Sequence, residues 1–194
     1  MKNILLKVIA AATHPVFLPF FSVLIYMPIL AKHGMDTSLL AGVWAIVAYL
    51  ILPLLFFKVV RKVNLPDPDL GERRSIYKAY ATVSFCLAIV SFFLLRDYIG
   101  FFLGAFLMHI LMLMLAFVEM KASWHSAAWS FLTLSGLMVS YNLGLADILM
   151  AVVIPSVVLL VVCVVRYFAK AHTFFELGMG IAAGVCGAIP VLFI

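Results

Sequence analysis

The chain has 194 residues, 67% of them hydrophobic and 11% charged, with a formal net charge of +5 and a mean hydropathy of +1.25. A soluble domain of this length shows water a polar, charged face, so the composition excludes one and predicts an all-α, polytopic membrane helical bundle. The basic balance does not call for nucleic acid, because the lysines and arginines gather at the edges of apolar runs, where membrane lipids and phosphate ligands account for them.

A crossing takes about 20 apolar residues, and seven spans are expected, near 8–31, 38–60, 77–95, 100–119, 126–144, 147–165 and 175–194. The start, with Lys2 and Lys7, has a basic n-region but no convincing small-residue cleavage site, so it reads as a first span and not a removed signal. That span carries His14-Pro15, Pro19 and Pro28; it is a kinked helix or a re-entrant segment, and the second choice leaves six spans. The connector 62–75 holds Asp67, Asp69, Glu72, Arg73 and Arg74, and its prolines and glycine forbid a continuous helix. Spans three and four meet at the turn Arg96-Asp97-Tyr98. The connector 121–126 follows, in which Ser123 is an N-cap for span five and aims backbone N–H groups at whatever binds there. Spans five and six join near Asn142–Asp147, and the polar stretch from Arg166 to Glu176 precedes the last span. Cys86, Cys163 and Cys186 lie in apolar runs without metal or redox spacing and read as small packing residues. No repeat, low-complexity tract or linker divides the chain, so 1–194 forms a single integral membrane domain.

Counting crossings places the connector 61–76, the connector 120–125 and the stretch 166–174 on one side of the membrane, since two spans separate each from the next. That face collects Arg73, Arg74, Lys121, Ser123, His125, Arg166, His172 and Glu176, against Lys32, His33, Asp36, Arg96 and Asp97 opposite. His172 and Glu176 are four apart, one turn of a helix. A carboxylate there accepts the imidazole N–H, fixes the tautomer and leaves the other ring nitrogen as a nucleophile. Arg166 offers a permanent cation and a fork of donors that suits a phosphoryl group.

These pieces resemble the three motifs of the type 2 phosphatidic acid phosphatase superfamily, written KxxxxxxRP, PSGH and SRxxxxxHxxxD. The third aligns with Arg166, His172 and Glu176, the second with 122–125, and the first, less closely, with 73–75. The interval of two spans between motifs also matches that family's six-helix core, which would cover spans two to seven, with the N-terminal segment as an addition. The resemblance implies hydrolysis of a lipid phosphate or diphosphate at the membrane interface, with no metal and no cofactor. His172 would form a phosphohistidine, Glu176 would orient it, and His125 would protonate the leaving oxygen and then assist the water. Arg166, Arg74 or its neighbour Arg73, and Ser123, with Lys121, would hold the phosphate oxygens; Arg74 is preferred to Arg73 because it lies nearer span three. The chain departs from the motifs at Glu176 for Asp, Val165 for Ser, Ala122 and Trp124 around Ser123, Ser75 for Pro, and Asp67 where Lys is expected. Trp124 either crowds the pocket or stacks on a headgroup.

Other readings compete. Asp67 and Asp69 resemble half of a magnesium–diphosphate site, but no second acidic cluster shares their face. His109 lies in mid-span and is read as a hydrogen-bonding residue between helices, while His14 begins a span on the active face and is a lesser candidate for the site. A non-catalytic phosphate-headgroup binder or transporter with the same cationic pocket is the alternative to an enzyme. The expected location is a cell membrane, with the bacterial cytoplasmic membrane as first choice. The positive-inside rule favours a cytoplasmic site, many bacterial relatives of that family place it outside, and the orientation stays open. The sequence does not specify an oligomeric state.

Overall fold

The computed structural model describes residues 2–32, 38–51, 68–94, 96–143 and 149–193 together with Leu55. Among the described residues the chain is helical throughout, with no strand. Four stretches are long and apolar enough to cross a membrane: Leu70–Leu94, Arg96–Phe117, Met150–Phe168 and Phe174–Phe193. A fifth is reached if the N-terminal pair Ile4–Phe17 and Phe20–Tyr26, bent by 81°, is one broken crossing. This is the architecture of a multi-pass helical membrane protein. Span two is described as far as α3 (Ser38–Ile46) and a π-turn, Val47–Ile51. The expectations that fall on His33, Asp36, Lys62, Asp67 and Asp147 lie outside the described residues.

The N-terminal segment runs as α1 (Lys2–Ala12), a 3-10 turn (Pro15–Phe17) and α2 (Leu18–Lys32). The break has a local cause. Pro15 has no N–H to continue the ladder, and His14, extended at ψ 136°, caps the new turn by accepting from Val16 N.

α4 (Leu70–Leu94) begins seven residues earlier than the expected edge at 77. Asp69 Oδ1 accepts from Glu72 N at 2.7 Å and Glu72 Oε2 accepts from Asp69 N at 2.9 Å. This reciprocal cap starts the helix in spite of Gly71. Arg73 and Arg74 therefore stand in the first turns of a helix, not in the connector, and Asp69 serves as its cap.

α5 (Ile99–Phe117) packs along α4. α6 (Trp124–Leu143) is less apolar because Ser126, Ser130, Thr133, Ser135 and Ser140 interrupt it. It tolerates them because it lies at the centre: every residue from 122 to 132 is buried. α7 (Ile154–Phe168) has Pro155 in its first turn, where no intrahelical N–H is needed. α8 (Phe174–Ala188) closes the bundle against α6 and α5.

Lipid tails are as apolar as leucine, so helices in a bilayer associate through close packing and interhelical hydrogen bonds. The α6–α8 seam has both. A Cβ on Gly180 would overlap Ser126 Oγ, and one on Gly184 would overlap Ser130 Oγ and the Ala127 carbonyl. Across this approach Ser126 Oγ donates to Leu177 O at 3.0 Å and Ser130 Oγ to Ile181 O at 3.2 Å. At the end of the seam, Ser123 N donates to Glu176 O at 3.0 Å. The starts of α6 and α8 are thus tied together, which brings the two candidate histidines to one end of the bundle.

Candidate functional site

At that end Arg73, His125, Arg166 and His172 line one cavity, with His14, Pro68, Ile76, Tyr77 and Trp124 completing its wall. The residues come from the start of α4, the start of α6, the last turn of α7, the loop before α8 and the N-terminal break. The cavity volume is about 10 Å³, room for about one water. Among the described residues its lining has two guanidinium groups and no carboxylate. Arg73 is 4% exposed and Arg166 8%.

Arg73 is held by carbonyls: its Nε donates to Pro68 O at 2.9 Å and Nη1 to Ala122 O at 3.4 Å. Arg74, the preferred residue of the pair on sequence, points elsewhere. Its Nε donates to Ala116 O at 3.0 Å, and its guanidinium lies 5.3 Å from the centre of the Phe117 ring. The preference is reversed. Neighbours on a helix diverge by about 100°, and α4 turns Arg73 inward.

The geometry of His172 fixes its tautomer. Nδ1 lies 3.0 Å from Lys121 O, and a carbonyl only accepts, so Nδ1 carries the proton. Nε2 is then the lone-pair nitrogen, and Arg166 Nη2 donates to it at 3.3 Å. Burial, reinforced by Arg166 and Arg73, lowers the His172 pKa to about 4, although Glu176 pulls the other way. The ring is neutral at pH 7, with its nucleophilic nitrogen facing the cation-lined cavity.

Three expected roles change in detail. Glu176 is not the hydrogen-bond partner of His172: its Oε2 lies 3.6 Å from Nδ1 and accepts from Thr173 N at 2.8 Å, while Thr173 Oγ1 accepts from Glu176 N. This is a capping box that starts α8. His172 precedes the cap, so the pair is not on one helical face; the carboxylate is an electrostatic neighbour. Ser123 caps α6 as expected, accepting from Ser126 N at 3.4 Å, but it is fully buried and is not part of the cavity wall. Lys121 contributes its backbone carbonyl to His172, and its charge helps to lower the His172 pKa; its side chain is not in the wall.

Trp124 fills the space beside His125. It meets His14, Tyr77 and Tyr80 edge-on at 5.7, 5.9 and 5.1 Å between centroids. His14 belongs to the wall, with its ring edge-on to His125 at 5.0 Å. The sequence signal was the His14-Pro15 break; its apposition to α6 was not visible. His109 is stacked on Tyr80 and donates from Nδ1 to Ala105 O at 2.7 Å, within its own helix.

Beside the loop before α8 a second, open groove of about 480 Å³ is lined by Tyr167, Phe168, Lys170, Thr173, Phe174 and Glu176, and touches His172. Lys170 takes a left-handed φ of 54° to turn the chain. Phe168, Phe174 and Phe175 are each at least 65% exposed around it, as aromatic side chains at a headgroup boundary commonly are.

Comparison with models of known families, with characterised proteins and with solved structures finds no match for this chain.

Proposed function

We propose that this protein hydrolyses a phosphorylated lipid, a monophosphate or a diphosphate, without a metal and through a phosphohistidine on His172. The observation that carries the reading is the arrangement of His172: proton on Nδ1, lone pair on Nε2, Arg166 against it and Arg73 and His125 across the same small cavity. In the first step Nε2 attacks phosphorus, the N–P bond forms, and the P–O bond to the lipid or leaving phosphate breaks. His125, having taken a proton from solvent to become the imidazolium, gives one proton to the departing oxygen and returns to the neutral ring. In the second step water attacks phosphorus, His125 takes a proton from it, the N–P bond breaks and inorganic phosphate leaves. Arg73 and Arg166 act through charge and position on the equatorial oxygens, which is the main requirement of a loose phosphoryl-transfer transition state.

The exposed phenylalanines around the groove beside His172 support an amphiphilic substrate over a soluble one, with its phosphate at the interface and its tail in the bilayer. We read the bundle from α3 to α8 as a phosphatase-like six-helix core, with α1 and α2 as an added broken segment, in a cell membrane such as the bacterial cytoplasmic membrane. The test is phosphate release by detergent-purified protein from isoprenyl, glycerolipid and soluble phosphates, with and without EDTA. Release from a lipid phosphate that EDTA does not affect and that His172→Ala and His125→Ala each abolish is the expected result. No release from any of them favours a headgroup binder or transporter, and loss with EDTA favours a metal-dependent mechanism.

A further inference from the structure

The cavity is shut from one side by the N-terminal segment. His125 Nε2 lies 3.2 Å from Ala10 O; the carbonyl only accepts, so the ring gives its Nε2 proton to α1. Trp129 Nε1 donates to Thr13 O at 3.0 Å, and Phe21 of α2 rests on the Trp129 ring at 5.2 Å. His14 fills the angle between them, against His125 and Trp124. With the segment in place the His172 side chain is 1% exposed, and a cavity of about 10 Å³ admits a water but no phosphoryl group with its oxygens.

We propose that the segment from α1 to the start of α2 is an autoinhibitory gate, which closes the site by engaging the His125 Nε2–H in a hydrogen bond to the Ala10 carbonyl. This rests on the phosphatase reading for the meaning of the His125 proton, though the closure itself is independent of it. While the His125 Nε2–H is bonded to Ala10 O it is not free to meet a leaving oxygen, so the closed gate and the first chemical step exclude each other. The two sides of the site also differ in how they are held. His172 and His125 are fixed by the α6–α8 seam, with its serine hydrogen bonds and glycine contacts. The gate is held at the site by hydrogen bonds from His125 and Trp129, by ring edges, by packing of α1 on α7 and by the burial of Pro15 and Val16, while α1 exposes Ile4, Leu5 and Val8. The bend at His14-Pro15 is the natural hinge, since Pro15 has no N–H to donate back into α1 and the bonds at the break, such as Phe17 N to His14 O, are local to it.

The test is the carbethoxylation rate of each histidine at neutral pH in the full-length protein, read by mass spectrometry. Trp129→Phe removes the Thr13 anchor while keeping a ring, and Phe21→Ala loosens the gate without altering α6. His109, buried within the bundle, reports on the fold. Trp129→Phe is expected to raise the His125 rate about fivefold, the shift that loss of one hydrogen bond of ordinary net strength produces, and Phe21→Ala, which loses a ring contact, to raise it as well, with His109 still protected in both. The proposal is overturned if His125 of the unaltered protein reacts as fast as a free histidine. It is overturned equally if either variant leaves the His125 rate unchanged with His109 protected. Phosphate release is scored separately: an opened His125 without release sinks the phosphatase reading and keeps the gate, and release with an unresponsive His125 does the reverse.

Discussion

Replacing His172 by Gln should remove part of the acid sensitivity of the fold, and the size follows from its surroundings. In the unfolded chain the imidazole takes a proton near pH 6.5; in the folded protein burial and the flanking arginines delay this to about 4. Between those values the unfolded state binds more protons, so stability falls as the pH falls. The contribution of His172 is fully present above pH 6.5 and is lost by about pH 4. That interval, at about 1.4 kcal/mol per pH unit, gives a contribution of about 3 kcal/mol at most. The assay is unfolding in detergent between pH 7.5 and 4 for the unaltered protein and His172→Gln. Every other group is common to both proteins, so the quantity to read is the difference between the two curves. It should shrink as the pH drops, because the variant has nothing to protonate there. Parallel curves would mean that His172 is not held neutral, and the lone pair assigned to Nε2 would lose its support.

Other substitutions separate residues that the sequence left equivalent. Arg73→Ala should lower phosphate release from a lipid phosphate by about 10²–10³, the usual loss for one transition-state donor. Arg74→Ala, bonded to Ala116 and lying over Phe117, should stay within a few-fold; equal losses would undo the assignment. Glu176→Gln keeps an acceptor for Thr173 N, and Lys121 O still orients His172, so kcat/KM should change less than about tenfold. A loss beyond about a hundredfold would give the carboxylate a direct part. Gly184→Ala forces a methyl into Ser130 and the Ala127 carbonyl, at about 1–3 kcal/mol of overpacking strain. Its melting temperature in detergent should drop; an unchanged value would mean that the seam is looser than drawn.

The class of fold was legible because composition alone forces it: so apolar a chain folds in lipid, and only helices or closed barrels satisfy its backbone there. The meeting of Arg166, His172 and His125 was legible from counting crossings, which needs no knowledge of packing. The choice between Arg73 and Arg74 was not, since it depends on where α4 starts. That start is set by the Asp69–Glu72 cap, a D-x-x-E pattern just before an apolar run that was read as connector. The same oversight, at Thr173-x-x-Glu176, assigned to a histidine a carboxylate that caps α8. The place of His14 was beyond reach for another reason. The contact between His125 and Ala10 joins residues 115 apart, and no periodicity records how a broken segment folds back on a bundle.

The tie between Ser123 N and Glu176 O has a mechanical consequence. It mounts both imidazoles on a single bracket, so the span between the two rings is set by main chain and cannot be adjusted to suit what enters. Differences in the size of the bound group must be absorbed by the cations, which arrive on separate helices. Under the phosphatase reading, selection among substrates would then act on α4 and α7, while the two ring nitrogens would keep their spacing.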